Sequence, residues 1–344
     1  PSTSTPGLNH GVLYYYLLAA FYGLGNGNPS VVAIFLSLIN SLVIIPLMFL
    51  AKDLLKSNKT PILAGLLFAI SFEAVQYGPW LSNPGPAMLT VALFFLALRL
   101  WQKGKTYGLY LAVLAAAFST QFQFFLIYLF LLIPIFGYIF KIKTETKKVA
   151  YSFLIAILGL INFLIAAVKF KTFGSSFLGL FSISTAGQID FRLQFGEMLL
   201  NYINRFTELF TYNFFPTNIV LGGILSFSVL YAIRKEKLLL FYLFSNLPII
   251  IFGGHSNTYV NIGLIVPAIL GIIILMRNIA KTSKILSVLT IIFISVSNLY
   301  AIIKYSPSGQ IILVIPNDMV LKNELKLIDQ TYKLAEGKQF SINT

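Results

Sequence analysis

Basic residues in this chain come in bursts, and the bursts alternate with long apolar runs. Lys52, Lys56 and Lys59 form one burst, and Arg99, Lys103 and Lys105 a second. Lys141, Lys143, Lys147 and Lys148 form a third; Arg234, Lys235 and Lys237 a fourth; Arg277, Lys281 and Lys284 a fifth. Together they hold 16 of the 25 lysines and arginines, whereas segments 1–28, 78–83, 121–123 and 254–257 hold none. Cytoplasmic loops of membrane proteins are enriched in Lys and Arg, so this alternation counts membrane crossings.

The runs between these loops approach the length that a bilayer demands, about 20 residues per helix. Spans are expected over residues 29–50, 60–77, 84–100, 107–120, 122–140, 149–168, 217–233, 238–253, 258–276 and 285–303. Residues 107–140 as one helix would be about 50 Å long, too long for a core of about 30 Å. A break is therefore expected at the polar Ser119-Thr120-Gln121-Phe122-Gln123. Composition agrees: the chain is 57% hydrophobic and 10% charged, where a soluble domain has roughly 45–50% apolar and about 25% charged residues. The net charge of +14 is read as a topology signal, and nucleic acid is excluded as a partner. With no cysteine, a disulfide framework, a zinc–thiolate site and a cysteine nucleophile are excluded too.

The expected fold is an all-α polytopic membrane protein with about ten transmembrane helices, interfacial helices on the outer face and the start of a small outer α/β domain. Residues 1–303 form the transmembrane domain and residues 304–344 begin the extracytoplasmic one. The protein is placed in the plasma membrane, with its amino-terminal segment, the 169–216 loop and the tail outside. In that loop Glu197, Asn201, Asn204, Arg205 and Glu208 recur at helical spacing opposite Met198, Leu199, Tyr202, Phe206 and Leu209, the pattern of an amphipathic interfacial helix. Residues 10–24, with Tyr14, Tyr15, Tyr16 and Tyr22, suit the headgroup level. In the tail, 311–315 reads as a strand, 317–335 as a helix and 339–342 as the start of another strand.

Polar groups at a membrane are costly and are candidates for function. Glu73, Gln76, Tyr77 and Trp80 share one helical face, with Glu73 about one turn below the outer end; it is the candidate base. Lys169, Lys171, Arg192 and Arg205 are candidate donors to a phosphate, Arg as a bidentate fork and Lys as a point charge. His255 and Asn257, in Gly254-His255-Ser256-Asn257-Thr258, suit hydrogen bonding to phosphate or sugar. His10 and Tyr14 complete the candidate donor-binding set. No metal site is assigned, since two histidines and scattered carboxylates fall short of three or four converging ligands.

At these residues the chain resembles a family. His10-Gly11-Val12-Leu13-Tyr14-Tyr15-Tyr16-Leu17-Leu18 is similar to the H-x-P-L-Y-Y-x-L-L segment of GT-C fold glycosyltransferases, the class of protein O-mannosyltransferases and the aminoarabinose transferase of lipid A. Trp80-Leu81-Ser82-Asn83-Pro84-Gly85 is similar to that group's W-x-W-N-P-N motif. Gln121-Phe122-Gln123 resembles its Q-x-H, residues 255–267 its late H-Y-x-x-x-x-x-P element, and residues 321–344 its outer helix and strand. The departures are Val12 for the proline, Pro79 for the arginine beside the tryptophan and Gln123 for the histidine. The resemblance implies an inverting transferase that moves a sugar from a polyprenyl-phosphate donor to an acceptor on the extracytoplasmic face. Its partners are then the lipid-linked sugar and membrane lipids; no cofactor is assigned, and a divalent metal is compatible. It also implies that the main catalytic carboxylate precedes residue 1 in a longer protein, leaving Glu73 as the alternative. The competing functions are a secondary transporter or flippase of envelope precursors, disfavoured by the lack of an internal repeat, and a non-enzymatic assembly protein.

Overall fold

A computed structural model describes residues 11–169, 195–216, 218–248, 261–305 and 321–335. The helices are α1 (Val12–Leu24), α2 (Pro29–Ser41), α3 (Ile44–Leu55), α4 (Thr60–Ala69), α5 (Phe72–Tyr77), α6 (Ala87–Gln102), α7 (Thr106–Phe122), α8 (Leu129–Ile139), α9 (Thr146–Gly159) and α10 (Ile161–Lys169). They continue with α11 (Phe195–Phe214), α12 (Ile219–Ile233), α13 (Lys237–Leu243), α14 (Ile265–Thr282), α15 (Lys284–Tyr305) and α16 (Leu321–Ala335). The described residues contain no strand. The strands expected at 311–315 and 339–342 lie outside the described residues.

Local chemistry sets several ends. The Asn28 side chain accepts from the Ser30 N–H at 2.9 Å ahead of Pro29, and Asn218 caps Leu221 at 3.0 Å; each satisfies a donor the first turn leaves open. Lys56 closes α3 in the left-handed region at φ 49°. The break expected near Gln121 falls at Gln123, where the backbone is extended and a 3-10 turn (Phe124–Tyr128) leads into α8.

Other helices are more broken than their apolar runs predict. The 60–77 run divides at Ile70–Ser71, where Ser71 is extended and its hydroxyl bonds back to the Phe68 carbonyl at 2.8 Å. The 149–168 run divides at Leu160, after Gly159. In the 238–253 run α13 ends at Leu243 and the chain turns over residues 244–246. Hydropathy reports burial from water and does not register such polar or glycine interruptions, which other elements satisfy.

Among the described residues three helices are long and apolar enough to cross a membrane: Pro29–Leu55, in which α2 and α3 run together, Ile265–Thr282 and Lys284–Lys304. Peripheral helices also turn apolar faces outward. Examples are Ile34, Leu38, Ile45 and Phe49 on α2 and α3, Phe153 and Leu158 on α9, Phe227 on α12, and Ile285, Phe293 and Ile303 on α15. Water does not tolerate apolar patches spread over so many helices. The architecture is that of an all-helical membrane protein.

Helices α6 and α14 run through the middle. Residues 265–273 of α14 are buried on every side. Helix α7 lies so close to α6 that a Cβ on Gly108 would stand 2.4 Å from the Trp101 backbone nitrogen. Phe136 of α8 stacks on Tyr242, meets Trp101 and Phe140 at a tilt and Phe241 edge-on, and the Tyr242 hydroxyl donates to the Phe95 carbonyl at 2.7 Å.

The basic loops gather at one end. Arg99 bonds Asp53 at 2.6 Å and Lys103 joins the same carboxylate. Lys56 and Arg277 line a common cavity, Trp101 lies against Gly137, and Phe140 contacts Phe241. The Asp53 group is partly exposed, so its ion pairs stabilise by at most about 1 kcal/mol each. Their information is positional: loops that the charge pattern assigns to one side touch one another. Helix α11 turns through 106° into α12. Thr211 rests on Gly222 there, where a Cβ would meet its hydroxyl at 2.0 Å.

Candidate functional site

The short helix α5 carries Glu73 and is wedged among α2, α4, α11 and α15. Its end is pinned from α2: the buried Asn40 amide donates to the carbonyls of Tyr77 and Gly78, both at 3.2 Å. Tyr77 is buried and packs against Trp80 at 5.1 Å. Glu73 is therefore held on a fixed backbone beside α11, the helix that carries Arg205; its side chain lies outside the described residues.

Helix α11 buries Tyr202, Phe206, Leu209 and Phe210, the apolar face expected from its spacing. Tyr202 and Phe206 both stack on Phe244. On the other face Arg205 pairs with Glu208 at 2.5 Å, and both side chains are largely covered. The Arg205 carbonyl also accepts from Asn261 at 3.0 Å, and Asn261 in turn accepts from Asn246 at 2.8 Å. Arg205 is thus a fixed group with a resident counter-ion, not the open cation that its sequence position suggests. A guanidinium has five N–H donors and Glu208 engages one nitrogen, so an incoming anion would share Arg205 with Glu208.

A second convergence involves the amino-terminal segment. Gly11 lies directly on Gln121: a Cβ there would stand 2.2 Å from the Gln121 carbonyl oxygen and 2.5 Å from its Cα. Gln121 donates to the Gly159 carbonyl at 2.8 Å and exchanges amide hydrogen bonds with Asn162. Tyr14, one turn along α1, is buried at 2% exposure, and its hydroxyl has no hydrogen-bond partner among the described residues. Burial raises the Tyr14 phenol well above its usual range, so it stays a neutral donor.

Lys169 is exposed at the end of α10. His10, Lys171, Arg192, His255 and Asn257 lie outside the described residues. Among the described residues no three His, Asp or Glu side chains converge as metal ligands do. Sequence reasoning missed Asn162, Asn246 and Asn261, the amides that tie Gln121 and Arg205 in place. Their signal was available, since an amide inside an apolar run is costly unless it is paired.

No protein-family model matches the chain, and no curated protein or solved structure matches it either.

Proposed function

We propose that this chain is a membrane glycosyltransferase that moves a sugar from a polyprenyl-phosphate donor to an acceptor on the extracytoplasmic face. One observation carries the reading: the segment similar to H-x-P-L-Y-Y-x-L-L and the segment similar to Q-x-H, far apart in sequence, meet at Gly11 and Gln121. A second supports it: α5, with the candidate base Glu73, packs on α11, with the candidate phosphate donor Arg205. A carboxylate to take the acceptor proton and a cation for the departing phosphate are what the transfer needs. In this reading the broken helices pair up, α4 with α5 and α9 with α10, to complete about ten spans, and α11 lies on the outer surface.

The test is sugar release from a polyprenyl-phosphate sugar in proteoliposomes. Replacing Lys169, Lys171, Arg192 or Arg205 singly by Gln is expected to weaken donor binding at one or more positions by about ten- to a hundredfold, a charge-assisted hydrogen bond being worth about 1.5–3 kcal/mol. Glu208→Gln, which removes the counter-ion of Arg205, is expected to leave donor affinity unchanged or tighter. Parent-like affinity in all four cation variants overturns the phosphate assignment. Translocation of the lipid-linked sugar without its release would make the protein a flippase.

The orientation has its own test, made clean by the absence of native cysteine. A cysteine at position 190 should react with an impermeant thiol reagent in intact cells, and one at position 147 should not. The opposite pattern would invert the protein and place the site in the cytoplasm.

A further inference from the structure

Helices α7, α8 and α9 enclose a cavity of about 530 Å³ at the basic end of the bundle, remote from α5 and α11. Its volume falls within the roughly 300–1,000 Å³ of small-molecule sites. Trp101 forms part of the wall, stacked over Gly137, with Leu109, Ile133 and Ala156 around it. Tyr138, Val149 and Phe153 also line it and are exposed on the outside of the bundle. The cavity therefore opens sideways, toward where lipid chains would lie.

Its polar rim is the loop between α8 and α9. Ile142 and Thr144 line the cavity, and each is flanked by lysine or acid: Lys141, Lys143, then Glu145, Lys147 and Lys148. The acid is taken, since Glu145 pairs with Lys148 at 2.6 Å. Lys141, Lys143 and Lys147 are exposed. The Thr144 hydroxyl is buried and has no hydrogen-bond partner among the described residues. Lys147 and Lys148 also sit in the first turn of α9, the positive end of the helix dipole, where cations are disfavoured and an anion is stabilised. An apolar slot under an unneutralised cationic rim fits one kind of molecule, a lipid with a negative headgroup.

We propose that this cavity binds an anionic glycerophospholipid, with an acyl chain against Trp101 and the phosphate at Lys141, Lys143 and Thr144. The proposal rests on the membrane reading of the chain and is independent of the transferase reading. A resident lipid would fill the gap between α8 and α9 and offset the charge excess of the loop.

The experiment uses Trp101 as the reporter. The chain has two tryptophans, so Trp80→Phe leaves Trp101 alone, and Trp101 is 7% exposed and screened from bulk lipid. The variant is placed in phosphatidylcholine vesicles containing either phosphatidylglycerol or phosphatidylcholine with dibrominated acyl chains, which quench indole on contact. Brominated phosphatidylglycerol is expected to quench at about fivefold lower mole fraction or better, as one lysine near an anionic surface contributes on that scale. Replacing Lys141, Lys143 and Lys147 together by Gln should remove the preference and leave quenching itself. Ala156→Phe, which fills the cavity, should reduce quenching by both lipids. Equal quenching by the two lipids before any lysine is changed overturns the proposal, as does a preference that survives the triple replacement. Displacement of the preference by inorganic phosphate would assign the rim to a soluble anion and equally overturn it. The comparison of the two lipids can be repeated in the parent chain, so a poorly folded variant does not decide the result.

Discussion

Phe136→Ala is expected to lower the unfolding free energy in mixed micelles by about 2–3 kcal/mol. Phe136 is fully buried and touches Trp101, Phe140, Phe241 and Tyr242, so one ring ties α8 to α6 and α13. In a soluble core the same change costs about 3–5 kcal/mol, part of which is transfer from water. Between helices in a bilayer that part is absent, because lipid tails are as apolar as the core. What remains is the cavity, about 100 Å³ at about 24 cal/mol per Å³. Phe227→Ala, at an outward-facing position of α12, should stay within about 0.5 kcal/mol because lipid replaces the lost ring. A loss at Phe227 equal to that at Phe136 would mean that Phe227 also packs against protein.

On the transferase reading proposed above, Gly11→Ala is expected to cut sugar transfer about a hundredfold, the scale on which a misplacement of about 1 Å acts. The backbone at Gly11 has φ −64°, so conformation does not demand glycine; space does. A methyl group would sit 2.2 Å from the Gln121 carbonyl oxygen, so α1 must withdraw from α7. Thermal stability should change little, since Tyr15, Tyr16 and Leu24 leave much of α1 exposed. Donor turnover and unfolding temperature measured on one preparation separate the two effects. Full turnover with the alanine in place would detach the amino-terminal segment from the proposed site.

The helical class, the break after Gln121 and the amphipathic α11 were legible because each rests on a local pattern. Basic loops predicted which ends of helices should meet, and Asp53 with Arg99 and Lys103 meets that expectation. The interruptions at Ser71 and Leu160 were not legible. A serine or a glycine in an apolar run breaks a helix only when its freed backbone groups find partners, as the Phe68 carbonyl does in the Ser71 hydroxyl and the Gly159 carbonyl in Gln121. The site was legible as a set of residue types and not as an arrangement. Arg205 reads as a cation on an outer loop, yet its partner Glu208 sits one turn away on the same face, and nothing in the spacing says that the two will be covered together. Asn246 and Asn261, which hold the backbone at Arg205, come from elements remote in sequence, and such pairing is set by packing alone.

Helix α15 closes a seam with helices that come much earlier in the chain. Asn298 of α15 is fully buried and donates to the Asn213 carbonyl at 2.7 Å, and α15 also packs on α5. A ribosome delivers α5 and α11 to the membrane well before it delivers α15. Until then the face of α5 and the Asn213 region of α11 lack their final neighbour, and the newborn protein holds a half-built bundle with polar backbone awaiting closure. Truncation ahead of α15 should therefore yield a chain that inserts yet is cleared by quality-control proteases, because the seam joining α5 and α11 to α15 stays open.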